Sequence, residues 1–131
     1  MKACLRRLEL LTYGPMNYFP LRTRIESEIS KCGLSQGLVT IHARGETPAI
    51  VIIYSRDLEE FDEALKKMIP VVGWRHGNAY AHLRSTVVST TKTVPFKENK
   101  LMLPSGYEVY FLETRPVYNH RRIVHLYIRG I

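Results

Sequence analysis

The distribution of hydrophobic residues along the first half of the chain predicts strands and one helix. The stretch ACLRRLELLT (3–12) carries leucines among charges, as a strand with imperfect alternation does. In LRTRIESEISKCG (21–33) the spacing changes to that of a helix, and Gly33 lies where a helix commonly ends. Two β-branched runs, GLVTIHA (37–43) and PAIVIIY (48–54), follow with a short polar gap, and we expect them to form a strand pair.

The second half predicts two helices followed by four strands. In SRDLEEFDEALKKMIP (55–70) acidic residues precede lysines, an order that complements the helix dipole, and AYAHLRSTVVS (79–89) forms the next helix. The strands are KTVPF (92–96), KLML (100–103), YEVYFLE (107–113) and RRIVHLYIRG (121–130). The last strand alternates apolar with basic and aromatic residues. We therefore expect one α+β domain over residues 1–131, with a largely antiparallel sheet and helices packed on one side.

Composition and cysteine usage are those of a globular protein outside the membrane. The 131 residues are 45% hydrophobic and 24% charged, and no run approaches the roughly eighteen apolar residues of a membrane span. The N-terminal MKACLRRLELL lacks the apolar core of a signal peptide, so we expect a cytoplasmic protein. Cys4 and Cys32 form no CxxC pair, and we expect both to be unpaired small residues of the core or a strand.

The net charge of +7 is concentrated in the second half of the chain. From residue 75 onward nine Lys and Arg face three Glu, an excess of +6. Such a field favours phosphorylated metabolites, nucleic acid or an anionic surface. Tyrosines also interleave with arginines there, at Tyr107, Tyr110, Tyr118, Tyr127 and Arg115, Arg121, Arg122, Arg129. That pattern leaves single-stranded nucleic acid as a minor alternative, although no nucleic-acid-binding motif accompanies it.

The stretch RHGNAYAHLRST (75–86) carries the candidate chemistry. Asn78 is predicted to cap the helix that follows, since Asn side chains accept hydrogen bonds from the first turn. His82 then lies one turn inside the helix, and His76 lies in the loop before it, free to fold back over the same end. Asn78, His82, Ser85 and Ser89 share one polar stripe, and Ala79, Leu83, Thr86 and Val87 a mostly apolar one, with Arg84 pointing elsewhere.

This arrangement predicts first an anion pocket, because a helix N-terminus offers unpaired N–H groups and positive dipole. Arg75, Gly77, Asn78 and Ser85 would bind a small phosphorylated ligand. The two histidines, His76 and His82, would act as catalytic residues that move protons near neutral pH.

Two other interpretations of the same stretch stay open. His76 and His82 could hold a divalent metal such as zinc or magnesium, but a catalytic zinc site needs a third protein ligand. His42 and His125 are the strand candidates for that ligand, and the sequence selects neither. Alternatively, the helix is simply capped and its histidines are satisfied by hydrogen bonds.

The same residues resemble a known family. The family pattern has a His, then G-N-A-x-A-H-[IL], a helix and V-P, and this chain matches it at His76, Gly77, Asn78, Ala79, Ala81, His82 and Leu83. The chain is similar to the YjbQ family, also called secondary thiamine-phosphate synthases. The resemblance implies a homotrimer with a polar pocket near a subunit boundary. It also implies weak synthesis of thiamine phosphate from an aminopyrimidine-methyl pyrophosphate and a thiazole phosphate.

Two departures from the family pattern bear on that activity. Family members usually carry His-[ST]-[ST]-Ala after the G-L-V strand and an acidic residue about six positions on. Here the first place reads Gly45-Glu46-Thr47-Pro48, and the second lies near Tyr54. The family's G-T-W-Q is replaced by Pro104-Ser105-Gly106-Tyr107. Glu46 or His42 could partly replace the missing histidine; the alternative is a non-catalytic trimeric binding or scaffolding protein.

Overall fold

The computed structural model describes all residues from Met1 to Ile131 and contains eight strands and three helices. The strands are β1 (Lys2–Thr12), β2 (Asn17–Pro20), β3 (Gln36–Ala43), β4 (Ala49–Tyr54), β5 (Thr91–Lys97), β6 (Lys100–Leu101), β7 (Tyr107–Glu113) and β8 (His120–Gly130). The helices are α1 (Arg22–Cys32), α2 (Leu58–Met68) and α3 (Ala79–Val88), and a 3-10 turn at Ser55–Asp57 precedes α2.

The strands form two antiparallel sheets, which confirms the predicted α+β class. Five strands are ordered β1-β8-β3-β5-β6, and three are ordered β2-β7-β4. The prediction that β3 and β4 pair is wrong: β3 pairs with β5 and β8, whereas β4 pairs with β7 in the other sheet. Local alternation identifies each strand but carries no information about its neighbour, since that is settled by long-range packing.

Two hydrophobic clusters hold the sheets and helices together. The larger contains 18 buried residues and packs α1 between the two sheets, with Ile25, Phe111 and Leu126 among its members. The smaller contains eight buried residues and seats α2 and α3 on the three-stranded sheet through Leu65 and Tyr80. The alternation predicted for β8 is confirmed, since its even-numbered residues from 122 to 128 are all buried.

The helices are bounded much as their sequences predict. Gly33 ends α1 in the left-handed conformation (φ 69°), and α2 carries Glu59 and Glu60 in its first turn with Lys66 and Lys67 in its last. None of the three helices has the length and apolar character needed to span a bilayer.

The two cysteines are paired, contrary to the sequence prediction. Cys4 of β1 and Cys32, the last residue of α1, form a disulfide with their Cα atoms 6.0 Å apart. The residues are 28 positions apart in sequence and meet because α1 packs across the inner face of β1. Cysteine spacing alone cannot reveal such a pair, because the proximity arises only from the tertiary fold. The bond ties an edge strand to the helix that covers it.

Candidate functional site

The polar stripe predicted on α3 lines a cavity of about 450 Å³. Because α3 begins at Ala79, His82 lies in its first turn, and Ser85 and Ser89 follow on the same face. The lining residues are Glu46, His82, Ser85, Thr86, Ser89 and Thr90. None is hydrophobic. We refer to this space as the His82 cavity.

The imidazole of His82 is held loosely between two polar side chains. Its Nδ1 lies 3.8 Å from Glu46 Oε2, and its Nε2 lies 3.4 Å from Asn78 Nδ2. Both separations exceed the ordinary range of strong protein hydrogen bonds. The side chain is 41% exposed, so either ring nitrogen can exchange its neighbour for a ligand atom.

Asn78 occupies the capping position, but the prediction that its side chain caps the helix is wrong. The residue has φ −113° and ψ 15° rather than the extended backbone of a capping Asn, and its side chain makes no capping hydrogen bond. The backbone N–H of Ala81 instead donates to the Asn78 carbonyl oxygen (3.0 Å). The amide faces His82 and not the helix end.

Three of the four hydroxyl groups that line the cavity already donate their protons to backbone carbonyl oxygens. Ser85 Oγ donates to the Pro48 carbonyl oxygen (2.6 Å), and Thr86 Oγ1 donates to the His82 carbonyl oxygen (2.9 Å). Ser89 Oγ likewise donates to the Thr91 carbonyl oxygen (3.0 Å). These oxygens can still accept hydrogen bonds, so the cavity presents acceptors and one imidazole. Ser85 forms no hydrogen bond with His82 and is not set up as a nucleophile.

The loop between β3 and β4 forms the cavity wall opposite α3. Two side chains outside this loop hold it through hydrogen bonds to Thr47. Thr47 Oγ1 accepts a hydrogen bond from Arg122 Nη2 (2.9 Å), and its carbonyl oxygen accepts one from Thr114 Oγ1 (2.6 Å). Arg122 is 7% exposed and donates through Nε and Nη2 to the two oxygens of the fully buried Glu113 (2.8 and 2.7 Å). This paired geometry anchors the loop that carries Glu46.

The Glu113 carboxyl is stabilised in its charged form. Burial by itself raises the pKa of this group, but hydrogen bonds from Arg122 and Thr12 and the positive charge of Arg122 outweigh it. The net effect holds the pKa of Glu113 below its ordinary value, so the Glu113–Arg122 pair stays ionic at neutral pH.

The remaining predicted site residues lie outside the cavity. Arg75, His76 and Gly77 are exposed in the segment between α2 and α3 and do not line it. His42 and His125 stack on the outer face of the five-stranded sheet, with ring centroids 6.3 Å apart. No group of three His, Cys, Asp or Glu side chains in the chain is arranged to hold a metal ion, so no third ligand joins the two histidines of the motif.

Arg84 was assigned the wrong environment by the sequence. The sequence placed it outside both stripes of α3, whereas it is 2% exposed, and Leu83 and Val87 of the mostly apolar stripe are 36% and 57% exposed. The buried residues of the helix are Tyr80, Ala81, Arg84 and Ser85. No sequence signal marks this arginine, because Arg is rarely buried without a charged partner.

Burial also removes two of the residues on which the nucleic-acid alternative rests. Tyr110 lies at the core and Arg122 is buried in its ion pair with Glu113, so neither is available to stack on or pair with a nucleotide. The alternating tyrosines and arginines thus do not form one continuous surface.

Comparison with known proteins decides the family. Residues 6–130 match the family described as UPF0047 protein, YjbQ-like. The chain belongs to the YjbQ-like UPF0047 family. A UPF0047 protein of Archaeoglobus fulgidus is 32% identical over 97 residues, which cover 68% of this chain and 77% of that protein. YugU of Bacillus subtilis is 23% identical over 116 residues, covering 83% of this chain and 88% of that protein.

Solved structures show that the YjbQ-like fold is shared over the whole chain. A YbjQ-like protein of Sulfolobus solfataricus superposes with a TM-score of 0.89 at 22% identity and covers 99% of both chains. The Aeropyrum pernix protein APE1520 gives 0.86 at 22% identity and covers 100% of both. At 22% sequence identity these superpositions establish a shared fold only.

The positions at which we expect departures from the family pattern lie in two places. Gly45 precedes Glu46 of the cavity lining and has φ 124°, and an added Cβ would come 3.2 Å from both Arg122 Nη1 and Pro48 Cδ. Tyr54 and Tyr107 are register partners of β4 and β7, and their rings pack 5.8 Å apart. A side chain at Gly106 would meet the Tyr54 ring at 2.5 Å. Tyr54 and Tyr107 thus pack against each other in a single local arrangement.

Proposed function

We propose that this YjbQ-like protein binds a small phosphorylated heterocycle in the His82 cavity. The observation that carries the proposal is the cavity's lining, which is wholly polar and contains one imidazole free to take a ligand. The hydroxyl oxygens and the Glu46 carboxylate would accept hydrogen bonds from a heterocyclic amine. A protonated His82 would contact the phosphate, together with Asn78 Nδ2.

The loop before α3 would supply the remaining phosphate contacts. Arg75, His76 and Gly77 are exposed and lie within a few residues of Asn78, and the +6 excess of the second half attracts an anion. We propose that these residues contact the phosphate once the ligand is bound, with His76 approaching the same end of α3 as His82.

The activity we propose is a weak thiamine-phosphate synthase reaction. The thiazole nitrogen attacks the methylene carbon of the aminopyrimidine, and a new N–C bond forms as the C–O bond to pyrophosphate breaks. Pyrophosphate leaves with the electron pair of that bond, and the thiazolium product carries the positive charge. His82 would stabilise the departing pyrophosphate by donating a proton or a hydrogen bond.

A metal ion is not required by this proposal. Glu46 and His82 are the two potential ligands lining the cavity, fewer than the three that a catalytic zinc uses. The chemistry of the donor set therefore fits an anion and an amine better than zinc, and no step is assigned to a metal.

The test is product formation by the purified protein. The two phosphorylated substrates are incubated with the wild type, and thiamine phosphate is measured by conversion to fluorescent thiochrome. We expect His82→Gln to lower the rate at least tenfold, and His120→Gln, a histidine outside the cavity, to leave it unchanged. No product above the protein-free blank, or equal rates for the wild type and His82→Gln, would overturn the assignment.

A non-catalytic binding protein is the second candidate, and Gly45 favours it. The family's histidine is absent at a position whose φ of 124° suits glycine. This candidate expects thiazole phosphate to raise the melting temperature through His82 while no thiamine phosphate forms.

We also propose that the protein assembles as a homotrimer. The outer face of the five-stranded sheet exposes apolar side chains, and Leu5, Leu38 and Tyr127 are 61%, 39% and 53% exposed. Exposed apolar side chains on a sheet face are typical of a surface that a second copy covers. Light scattering during gel filtration would give about three times the chain mass of 15.2 kDa; a mass of one chain would contradict it.

A cytoplasmic location is part of the same proposal. Intracellular disulfides are common only in hyperthermophiles. A Cys4–Cys32 bond in a cytoplasmic protein therefore implies a hyperthermophilic host. Alkylation of an unreduced lysate followed by mass measurement reads the state of both thiols. Fractionation of the cells reads the location.

A further inference from the structure

Arg84 is a buried cation without a charged partner. Its side chain is 2% exposed, and its Nε and Nη2 both donate to the carbonyl oxygen of Ile69 (2.9 and 2.6 Å). No carboxylate pairs with it. The nearby Asp62 accepts instead from Tyr18 Oη (2.8 Å) and from Lys66 Nζ (2.7 Å). Buried arginines are usually paired, because one neutral carbonyl compensates a guanidinium only in part.

One edge of this guanidinium makes no hydrogen bond within the protein and is open to solvent, since no fully buried side-chain nitrogen lacks a partner. The edge formed by Nε and Nη2 is used on Ile69, which leaves Nη1 and the second N–H of Nη2 without a protein acceptor. The Tyr80 ring lies 5.0 Å from Cζ and supports the charge from one face. Burial lowers the pKa of Arg84, which agrees with incomplete compensation of the charge. A guanidinium edge with two parallel N–H groups matches a carboxylate.

A cavity of about 340 Å³ adjoins Arg84. Pro15, Met16, Pro70 and Val71 supply most of its wall, Tyr80 contributes its ring, and Lys66, whose ammonium is paired with Asp62, completes it. No acidic residue lines it. The volume lies in the usual range of small-molecule sites, and the combination of apolar walls with one convergent cation is typical of them.

We propose that this second cavity, the Arg84 pocket, binds a small carboxylic acid with an apolar body. The carboxylate accepts from the free edge of Arg84, while the apolar body packs on Met16, Val71 and Tyr80. The pocket lies on the opposite side of α3 from His82, because the two residues are about 200° apart around the helix. The site does not depend on the function proposed for the His82 cavity.

The test compares two ligands of nearly equal shape. Phenylacetate and its neutral amide, phenylacetamide, are titrated into the wild type by calorimetry, and the chemical shifts of ¹³C-labelled Met methyl groups are followed. We expect phenylacetate to bind at least tenfold more tightly than the amide and to move the Met16 resonance most. Equal affinity for the two ligands, or no binding of phenylacetate at 20 mM, would overturn the proposal without any variant.

Two substitutions then locate the site. Arg84→Met should weaken phenylacetate binding at least tenfold, and His82→Ala should leave it unchanged. The opposite pattern would assign the carboxylate to the His82 cavity and refute the second site. If Arg84→Met does not fold, the ligand comparison and the Met16 shift still decide the outcome.

Discussion

His82 and Arg84 lie two residues apart on α3, yet they experience opposite environments. The His82 side chain is 41% exposed and has only loose neighbours at 3.4 and 3.8 Å. The Arg84 side chain is 2% exposed and is fixed to one carbonyl oxygen at 2.6 and 2.9 Å. One face of the helix borders a cavity without hydrophobic lining, and the other borders a largely apolar pocket.

The difference shows that a sequence motif and a buried charge without a charged partner need not lie on the same face of a helix. The histidine face carries the family pattern, but each of its serine and threonine hydroxyls described above already has a partner within the protein. The arginine face carries no motif, but it holds the buried charge that lacks a charged partner. The sequence motif identifies the His82 face as a candidate site, and the burial of a charged side chain identifies the Arg84 face.

The largest effect is expected at the Glu113–Arg122 ion pair, which anchors the loop that carries Glu46. Glu113→Gln leaves the buried Arg122 guanidinium without its countercharge, and breaking such a pair costs about 3–5 kcal/mol. Urea unfolding followed by circular dichroism should show this loss in the free energy of unfolding. The exposed control Glu59→Gln should change it by less than about 0.5 kcal/mol. Equal behaviour of the two variants would mean that the loop carrying Glu46 is not held by this ion pair.

Features that depend on residues within one helix or strand are predicted from the sequence, whereas features that depend on contacts between distant residues are not. The end of α1 at Gly33 and the alternation of β8 follow from residues within one element, and both are confirmed. The four-residue β2 was missed, since it is short and ends in proline. The Cys4–Cys32 bond depends on residues far apart in sequence and was also missed.

The same division applies to the candidate site. Helical spacing predicts correctly that His82, Ser85 and Ser89 share a wall. It cannot predict that Glu46 forms the opposite wall, because the β3–β4 loop reaches α3 only in the folded chain. Nor can it predict that Arg84 is buried, since composition scales place arginine at the surface.

A smaller effect is expected from the contact that joins the histidine face to the loop. Ser85→Ala removes the buried hydrogen bond to Pro48 and leaves that carbonyl oxygen without its donor, at a cost of about 1–2 kcal/mol. Thr86→Ala, one residue on, removes an exposed local hydrogen bond and should cost under about 0.5 kcal/mol. Thermal unfolding of both variants measures the contrast. Similar losses would show that the loop and α3 are joined by other contacts.

The pH dependence of the stability tests whether the Glu113 carboxylate is stabilised by Arg122. The folded pKa of Glu113 lies below the ordinary 4.5, so its contribution is fully present above that value and is lost as the pH falls through the folded pKa. The stability difference between the wild type and Glu113→Gln should therefore be largest near neutral pH and shrink in acid. Urea midpoints between pH 7 and pH 3 measure it, and a constant difference would contradict the assignment.

The smallest effect on stability is expected at Asn78, and it separates orientation of His82 from helix capping. A true side-chain cap costs about 1 kcal/mol when replaced by Ala. Asn78 makes no capping hydrogen bond, and its amide faces His82 at 3.4 Å, so Asn78→Ala should cost less than about 0.5 kcal/mol in urea unfolding. The same variant should weaken thiazole phosphate binding at the His82 cavity while leaving phenylacetate binding at Arg84 unchanged. A stability loss of about 1 kcal/mol with unaltered ligand binding would instead make Asn78 a cap in solution, and His82 would have no positioning residue.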